Sequence, residues 1–226
     1  MIRACALALL VPLLLAAGGC KRDGMDYLPL GEQRLWKYRI DRTIKGEQRH
    51  QKIIIAGLPP ATVDGAPYYP LRRLDDRIEL YEKTAGWIFR VDRSSGNRAR
   101  ILPQNPYPGM EWQGESRILF LEVTGAFSAT FEERIQTSIP LDYVVESLDD
   151  EVEVPAGRFR DCLRVKGRGS MFGGGTLKTF MGIRFIKVEQ TDWYARGVGL
   201  VKRVRNEYTT PAEWSNQYTE ELESVR

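Results

Sequence analysis

Histidine is almost absent from this sequence. His50 is the single one in 226 residues, and a zinc or other transition-metal site needs a set of imidazole and thiolate ligands that the chain does not have. No metal or other cofactor is expected. A serine triad would have to use His50, yet no Gly-x-Ser-x-Gly elbow occurs. His50 sits in the polar run Gly46–Lys52 and reads as a surface side chain. An excess of one charge is missing too, with 33 Lys and Arg against 30 Asp and Glu. So near a balance gives no single-sign field, and nucleic acid is not expected as a partner. The Gly-rich stretch Gly167–Lys178 lacks the Gly-Lys-Ser/Thr ending of a phosphate loop. It reads as a mobile hairpin tip. No repeat period stands out.

Cysteine is scarce as well: Cys5, Cys20 and Cys162. The first two lie at the N-terminus, where Arg3 precedes an apolar run from Ala4 to Ala17 and small residues follow. That run is shorter than the ~20 residues that span a bilayer. It has the form of a secretory signal. Ala17-Gly18-Gly19-Cys20 resembles a bacterial lipobox. The resemblance implies cleavage before Cys20 and acylation of its thiol, and two or more acyl chains anchor stably. The expected division is therefore 1–19 signal peptide, 20–31 acylated cysteine and flexible tether, and 32–226 one domain. Loss of Arg3 takes the formal charge from +3 to +2. Cys162 is then alone, which leaves no intrachain disulfide. In enterobacterial lipoproteins an aspartate after the cysteine retains the protein in the inner membrane. Lys21 stands there instead, and by that resemblance the expected location is the outer membrane, facing the periplasm.

What the chain has in quantity is strand signal. Trp36, Tyr38, Ile40, Arg42 and Ile44 alternate with Lys37, Arg39, Asp41 and Thr43, the period of a half-buried strand. Lys45-Gly46-Glu47 turns it. Short strands are expected at Tyr68–Leu74, Arg77–Lys83 and Trp87–Asp92, and Leu102–Gly109 is an irregular excursion. The apolar run Ile118–Val123 predicts a central strand, followed by strands at Phe127–Ile135 and Leu141–Ser147. Pro155-Ala156-Gly157 makes a tight corner because proline sets φ and glycine relieves it. Leu177–Trp193 and Val198–Tyr208 are expected as long paired strands whose in/out phase slips, with a bulge near Gly182. The tail Trp214–Val225 fits either a helix stripe or, the preferred reading, a closing strand. Turn signals recur every ten residues or so, the spacing of a sandwich or barrel. The fold class is all-β: an antiparallel meander forming a curled sheet, half-barrel or open barrel.

Three stretches carry a further resemblance: Leu30–Arg39, Val154–Leu163 and Trp193–Lys202. They are similar to a family of bacterial lipoprotein and secreted β-domains with the patterns LGxxWxY, VPAGxFxxCxxV and WYAxGVGLVK. The resemblance implies an extended, curled antiparallel sheet or partial barrel. It transfers no site residues. The shape also resembles that of periplasmic lipoprotein carriers.

The remaining candidates have bland alternatives. Asp149-Asp150-Glu151 and Asp75-Asp76 could hold calcium weakly, but hairpin tips use the same residues. Glu132 and Glu133, adjacent on a strand, face opposite ways and cannot converge on a sugar. Arg158, Arg160, Arg164, Lys166 and Arg168 line one strand face. They could meet lipid phosphates or an acidic partner, and the preferred reading is a solvated face. Cys162 reads as a small packed filler. The expectation is a non-catalytic envelope lipoprotein, membrane-bound through Cys20, that presents its sheet to an envelope protein or an apolar ligand such as a lipid. A carrier-like protein and an envelope hydrolase are the alternatives.

Overall fold

The computed structural model describes residues 26–226 except 64, 74–76, 93–94 and 124–137. The expected lipidation residue Cys20, the pair Glu132 and Glu133, Asp75-Asp76 and the strand Phe127–Ile135 fall outside the described residues.

Thirteen strands form one antiparallel system: β1 (Leu35–Ile44), β2 (Glu47–Gly57), β3 (Ala61–Val63), β4 (Ala66–Arg73), β5 (Ile78–Lys83), β6 (Trp87–Val91), β7 (Arg98–Pro103), β8 (Glu111–Arg117), β9 (Ser138–Val154), β10 (Gly157–Phe172), β11 (Phe185–Ala195), β12 (Gly199–Thr210) and β13 (Asn216–Val225). The order across the sheet is 7-6-5-4-2-1-13-12-11-10-9-8, with β3 attached to β4. This is the expected antiparallel meander, and it curls until the end strands β7 and β8 approach one another. Arg90 Nη2, on β6, donates to the Glu115 carbonyl on β8 at 3.3 Å. At the seam the approach is so close that a Cβ on Gly114 would lie 2.4 Å from the Arg100 carbonyl oxygen.

Local sequence explains most of the walls. On β1, Trp36, Tyr38, Ile40, Arg42 and Ile44 all point inward and are buried. Lys45 and Gly46 take φ of 53° and 76°, the doubly positive turn whose twist suits a two-residue hairpin. Pro155-Ala156 turns β9 into β10, and the Ala156 N–H donates to the Leu222 carbonyl at 2.9 Å. The tail is strand β13, which pairs with both β1 and β12. It is the staple between the two halves of the sheet.

Three expectations need correction. Ile118–Val123 is not a strand. β8 ends at Arg117, and Leu119–Val123 forms a 3-10 helix turned into the barrel. The buried Glu207 carboxylate accepts the Leu119 and Phe120 N–H groups at 2.8 Å each, so an inward side chain supplies the acceptors a neighbouring strand would have given. Leu177 opens no strand either. Gly175–Met181 is the helix α1, and its end at Gly182 has φ 67°. The left-handed glycine is thus a helix terminus rather than a bulge. The irregular register lies at Trp193/Tyr194 instead. Finally, Gly167 and Gly169 belong to β10 rather than to a hairpin tip. A Cβ on Gly169 would lie 2.1 Å from the Pro140 carbonyl oxygen, so β10 needs glycine to lie against the start of β9.

The interior is layered. One end holds Trp36, Tyr38, Leu71, Val154, Cys162, Val201 and Leu222. The other end holds Ile44, Phe120, Ile139, Leu141, Leu177 and Ile186. Each fully buried large aliphatic or aromatic side chain contributes roughly 1.5–3 kcal/mol by leaving water. The first end is finished by the segment just before β1. Tyr27 is 1% exposed, and its hydroxyl accepts from Arg196 Nε at 3.0 Å. The Asp26 carbonyl accepts the Gly197 N–H at 2.8 Å, and the Asp26 carboxylate meets Lys83 at 2.9 Å. From Asp26 onward, the stretch expected to be tether is therefore part of the barrel.

Candidate functional site

Between the two apolar ends lies a layer of charge. Strands β11, β12 and β13 turn Gln190, Asp192, Arg203, Arg205, Glu207 and Glu220 inward, where ordinary barrels place aliphatic residues. The opposite wall adds Arg73, Glu79, Tyr81 and Arg90, and β8 adds Ser116 and Arg117. Together these groups surround a cavity of about 170 Å³. Its apolar wall includes Trp36, Tyr38, Ile55, Leu71 and Leu200.

One half of the layer is closed on itself. Arg205 is 1% exposed and spends its donors fully: on Glu207 (2.9 and 2.7 Å), Ser116 Oγ (2.6 Å), Gln190 Oε1 (2.6 Å) and the Arg117 carbonyl (2.7 Å). Glu207 in turn takes the 3-10 helix N–H groups and Asn216 Nδ2 at 3.0 Å. This cluster is structural, because all the Arg205 donors and both Glu207 oxygens already have partners.

The other half is looser. Arg203 forks onto Asp192 at 2.7 and 2.8 Å, and Asp192 also accepts from Gln190 Nε2 at 2.8 Å and the Tyr194 hydroxyl at 3.2 Å. The third Arg203 nitrogen stands 3.7 Å from Glu220. Arg117 stands 3.7 Å from Glu79. Both distances exceed hydrogen-bond reach. Arg203 lies deep in the barrel, yet 26% of its side chain stays accessible because it faces the cavity.

The environment sets the protonation states. Burial pushes Glu220 above the usual carboxylate range, and Arg203 and Arg73 only partly oppose it. Burial also acts on Glu79, but Arg117 and Arg90 outweigh it and hold that carboxyl below the usual range. Burial works against the charge on Arg203, and Asp192 more than compensates. The phenols of Tyr38, Tyr81, Tyr143, Tyr194 and Tyr218 are all pushed up by burial. They are neutral hydroxyls at any physiological pH.

The residues singled out by sequence fall elsewhere. His50 is on the surface, its side chain 71% exposed, with Nδ1 2.6 Å from Asp41. Cys162 is fully buried in the apolar end. Asp149-Asp150-Glu151 lies within β9 rather than at a tip, and Asp150 accepts from Arg164 at 2.8 Å and Trp193 at 3.0 Å. The basic face pairs across to β9: Arg158 and Arg160 with Glu151, Arg164 with Glu146 and Asp150, Lys166 with Glu146. Among the described residues no cluster of three metal-ligating side chains occurs.

No family model matches the chain, and no curated protein matches it. Solved structures do resemble it. One, from Parabacteroides distasonis, is described as a "putative lipoprotein". It shares 16% identity over 91% of this chain and 100% of that one, with a TM-score of 0.50. A second, from Bacteroides fragilis, is described as an exported protein with YmcC-like fold and shares 14% identity over 88% and 98% of the two chains at a TM-score of 0.42. The first likeness shows a shared fold, the nearly closed antiparallel barrel.

Proposed function

We propose that this chain is a non-catalytic lipoprotein of the bacterial envelope, anchored in the outer membrane through Cys20, whose barrel binds a small ligand in its lumen. The observation that supports the ligand reading is the central cavity: strands from both walls converge on it, and part of its polar lining is unsatisfied. Ligand sites take this form, a concavity with apolar walls and a few placed polar groups. A partner-binding reading has less behind it, because the exposed large hydrophobics Leu35, Val63, Ile78, Tyr107, Phe172 and Tyr208 lie on five different strands and the loop between β7 and β8. The layer of charge across the lumen also opposes a carrier of long acyl chains.

Native mass spectrometry of the full chain, extracted from envelopes in mild detergent, tests this reading. A stoichiometric bound small molecule is the expected result. A clean apo mass overturns it and moves the search to a protein partner. The anchor is tested separately. Cys20→Ser should abolish acylation and release from the membrane fraction the protein that reaches the periplasm, and normal acylation of that variant would sink the lipoprotein reading.

A second reading, an envelope hydrolase, has one observation in its favour: Glu220, a buried acid with an elevated pKa, faces the cavity near Asp192. Its weakness is Asp192, whose two oxygens already accept four hydrogen bonds and so offer no free base. Turnover of chromogenic glycosides or esters that Glu220→Gln abolishes would favour it.

A further inference from the structure

We propose that the lumen recognises a small organic anion, a carboxylate or phosphate monoester on a ring-sized apolar body, held by Arg73, Arg90, Arg117 and the free nitrogen of Arg203. This inference rests on the ligand-binding reading above and names the chemistry of that ligand.

The first support is the balance of charge around the cavity. Five guanidiniums line it: Arg73, Arg90, Arg117, Arg203 and Arg205. Glu79, Glu115, Asp192 and Glu220 line it too, and Glu115 is an exposed residue whose carbonyl meets Arg90. Glu207 neutralises Arg205, and Asp192 neutralises Arg203. Among the described residues that leaves Arg73, Arg90 and Arg117 against Glu79, Glu220 and the exposed Glu115, a balance that holds only while all three acids are ionised. Burial of Glu220 favours its neutral form and leaves an excess of one positive charge. Uncompensated charge in a barrel interior is costly, and an entering anion removes that cost.

The second support is geometry. The Arg73 Nε is buried and meets no hydrogen-bond partner among the described residues. Arg90 places Nη2 on a carbonyl at only 3.3 Å. Arg117 and Arg203 each stop 3.7 Å short of their carboxylates. Loose donors on facing walls of one cavity suit planar or tetrahedral oxyanions, which guanidinium forks bind in pairs. Arg205, with all its donors spent, shows what a closed structural arginine looks like in the same barrel.

Size sets the body of the ligand. A cavity of about 170 Å³ is comparable with engineered cavities that admit a benzene ring, roughly 150 Å³. It is far too small for a diacyl lipid. Trp36, Tyr38, Ile55 and Leu71 supply the apolar wall for such a body.

Calorimetric titration of the full chain in a non-ionic detergent tests this with benzoate, phenyl phosphate, inorganic phosphate and the neutral isostere benzyl alcohol. The expected result is that benzoate or phenyl phosphate binds at least ten-fold tighter than benzyl alcohol and weakens with added salt. The better of the two identifies the anion as carboxylate or phosphate. Arg73→Gln and Arg90→Gln should each cost about ten-fold in anion affinity with no change for benzyl alcohol, and a matching thermal midpoint shows that each variant is folded. Equal binding of benzyl alcohol and benzoate, or anion binding unmoved by both variants, overturns the anion. Failure of every probe also overturns it. If native mass spectrometry nevertheless shows a bound neutral or cationic molecule, the ligand-binding reading stands and only this inference falls.

Discussion

Arg203 holds Asp192 by two parallel hydrogen bonds, Nε to Oδ1 at 2.7 Å and Nη2 to Oδ2 at 2.8 Å. The pair joins β11 to β12 in the middle of the barrel, where a single charge has no substitute partner of equal geometry. Removing one member of a buried pair costs about 3–5 kcal/mol because the other charge stays behind. Asp192→Asn should therefore lower stability by about 3 kcal/mol, seen as a lower urea midpoint at unchanged slope. Replacing both residues by leucine should cost less than the sum of the single changes. An additive double variant would show that the pair is not coupled.

Closure of the barrel depends on one missing side chain. At Gly114 a Cβ would overlap the Arg100 carbonyl, 2.4 Å away, and backbone cannot move aside as a flexible side chain can. Gly114→Ala should destabilise by about 1–3 kcal/mol and raise amide exchange in β7 and β8 ahead of β12. Gly86→Ala, where a Cβ meets nothing within 4 Å, is the control and should be nearly neutral.

Glu220 gives stability a pH dependence with a defined sign. Its folded pKa lies above 4.5, so between those two values the folded state binds more protons than the unfolded one. The contribution is complete below about pH 4.5 and is lost as pH rises through the elevated folded value. Glu79 acts oppositely: its depressed pKa stabilises above 4.5, and that is lost as pH falls. Wild type should thus gain stability relative to Glu220→Gln on going from pH 7 to pH 5 in urea melts. Parallel curves for the two proteins would refute the shift.

Cys162 should be inert. Burial, with Asp150 and Asp161, pushes its thiol up to about 11, and the residue is fully buried. A thiol-disulfide reagent at pH 8 should label it only after unfolding. Fast labelling of the native protein would mean that the apolar end opens.

The walls of this barrel were legible in the sequence and its contents were not, for one physical reason. Alternation reveals a strand when one face is apolar, as with Trp36, Tyr38 and Ile40. On β12 the inward face runs Val201, Arg203, Arg205, Glu207, so inward and outward residues are equally polar and polarity alone does not mark the phase. Charged residues in register with Val201 were the available signal. Ile118–Val123 failed differently: its apolar run fits a buried strand or a buried turn of helix, and only Glu207, nearly ninety residues away, decides between them. The glycines Gly167 and Gly169 looked like a loop because their purpose is set by Tyr143 and Pro140 on another strand.

The docking of Asp26 and Tyr27 into the end of the barrel shortens the leash. Only six residue steps separate Cys20 from Asp26, which at full extension is about 20 Å. With lipid on Cys20, the end of the barrel that holds Trp36 and Tyr27 is held within one domain's width of the bilayer. The hairpin at Lys45-Gly46, at the far end of β1, points away from it. If Cys20 carries the proposed lipid, the packed end of the barrel is the one that faces the bilayer, and the Leu119–Val123 turn and helix α1 at the other apolar end are the parts presented to the compartment beyond.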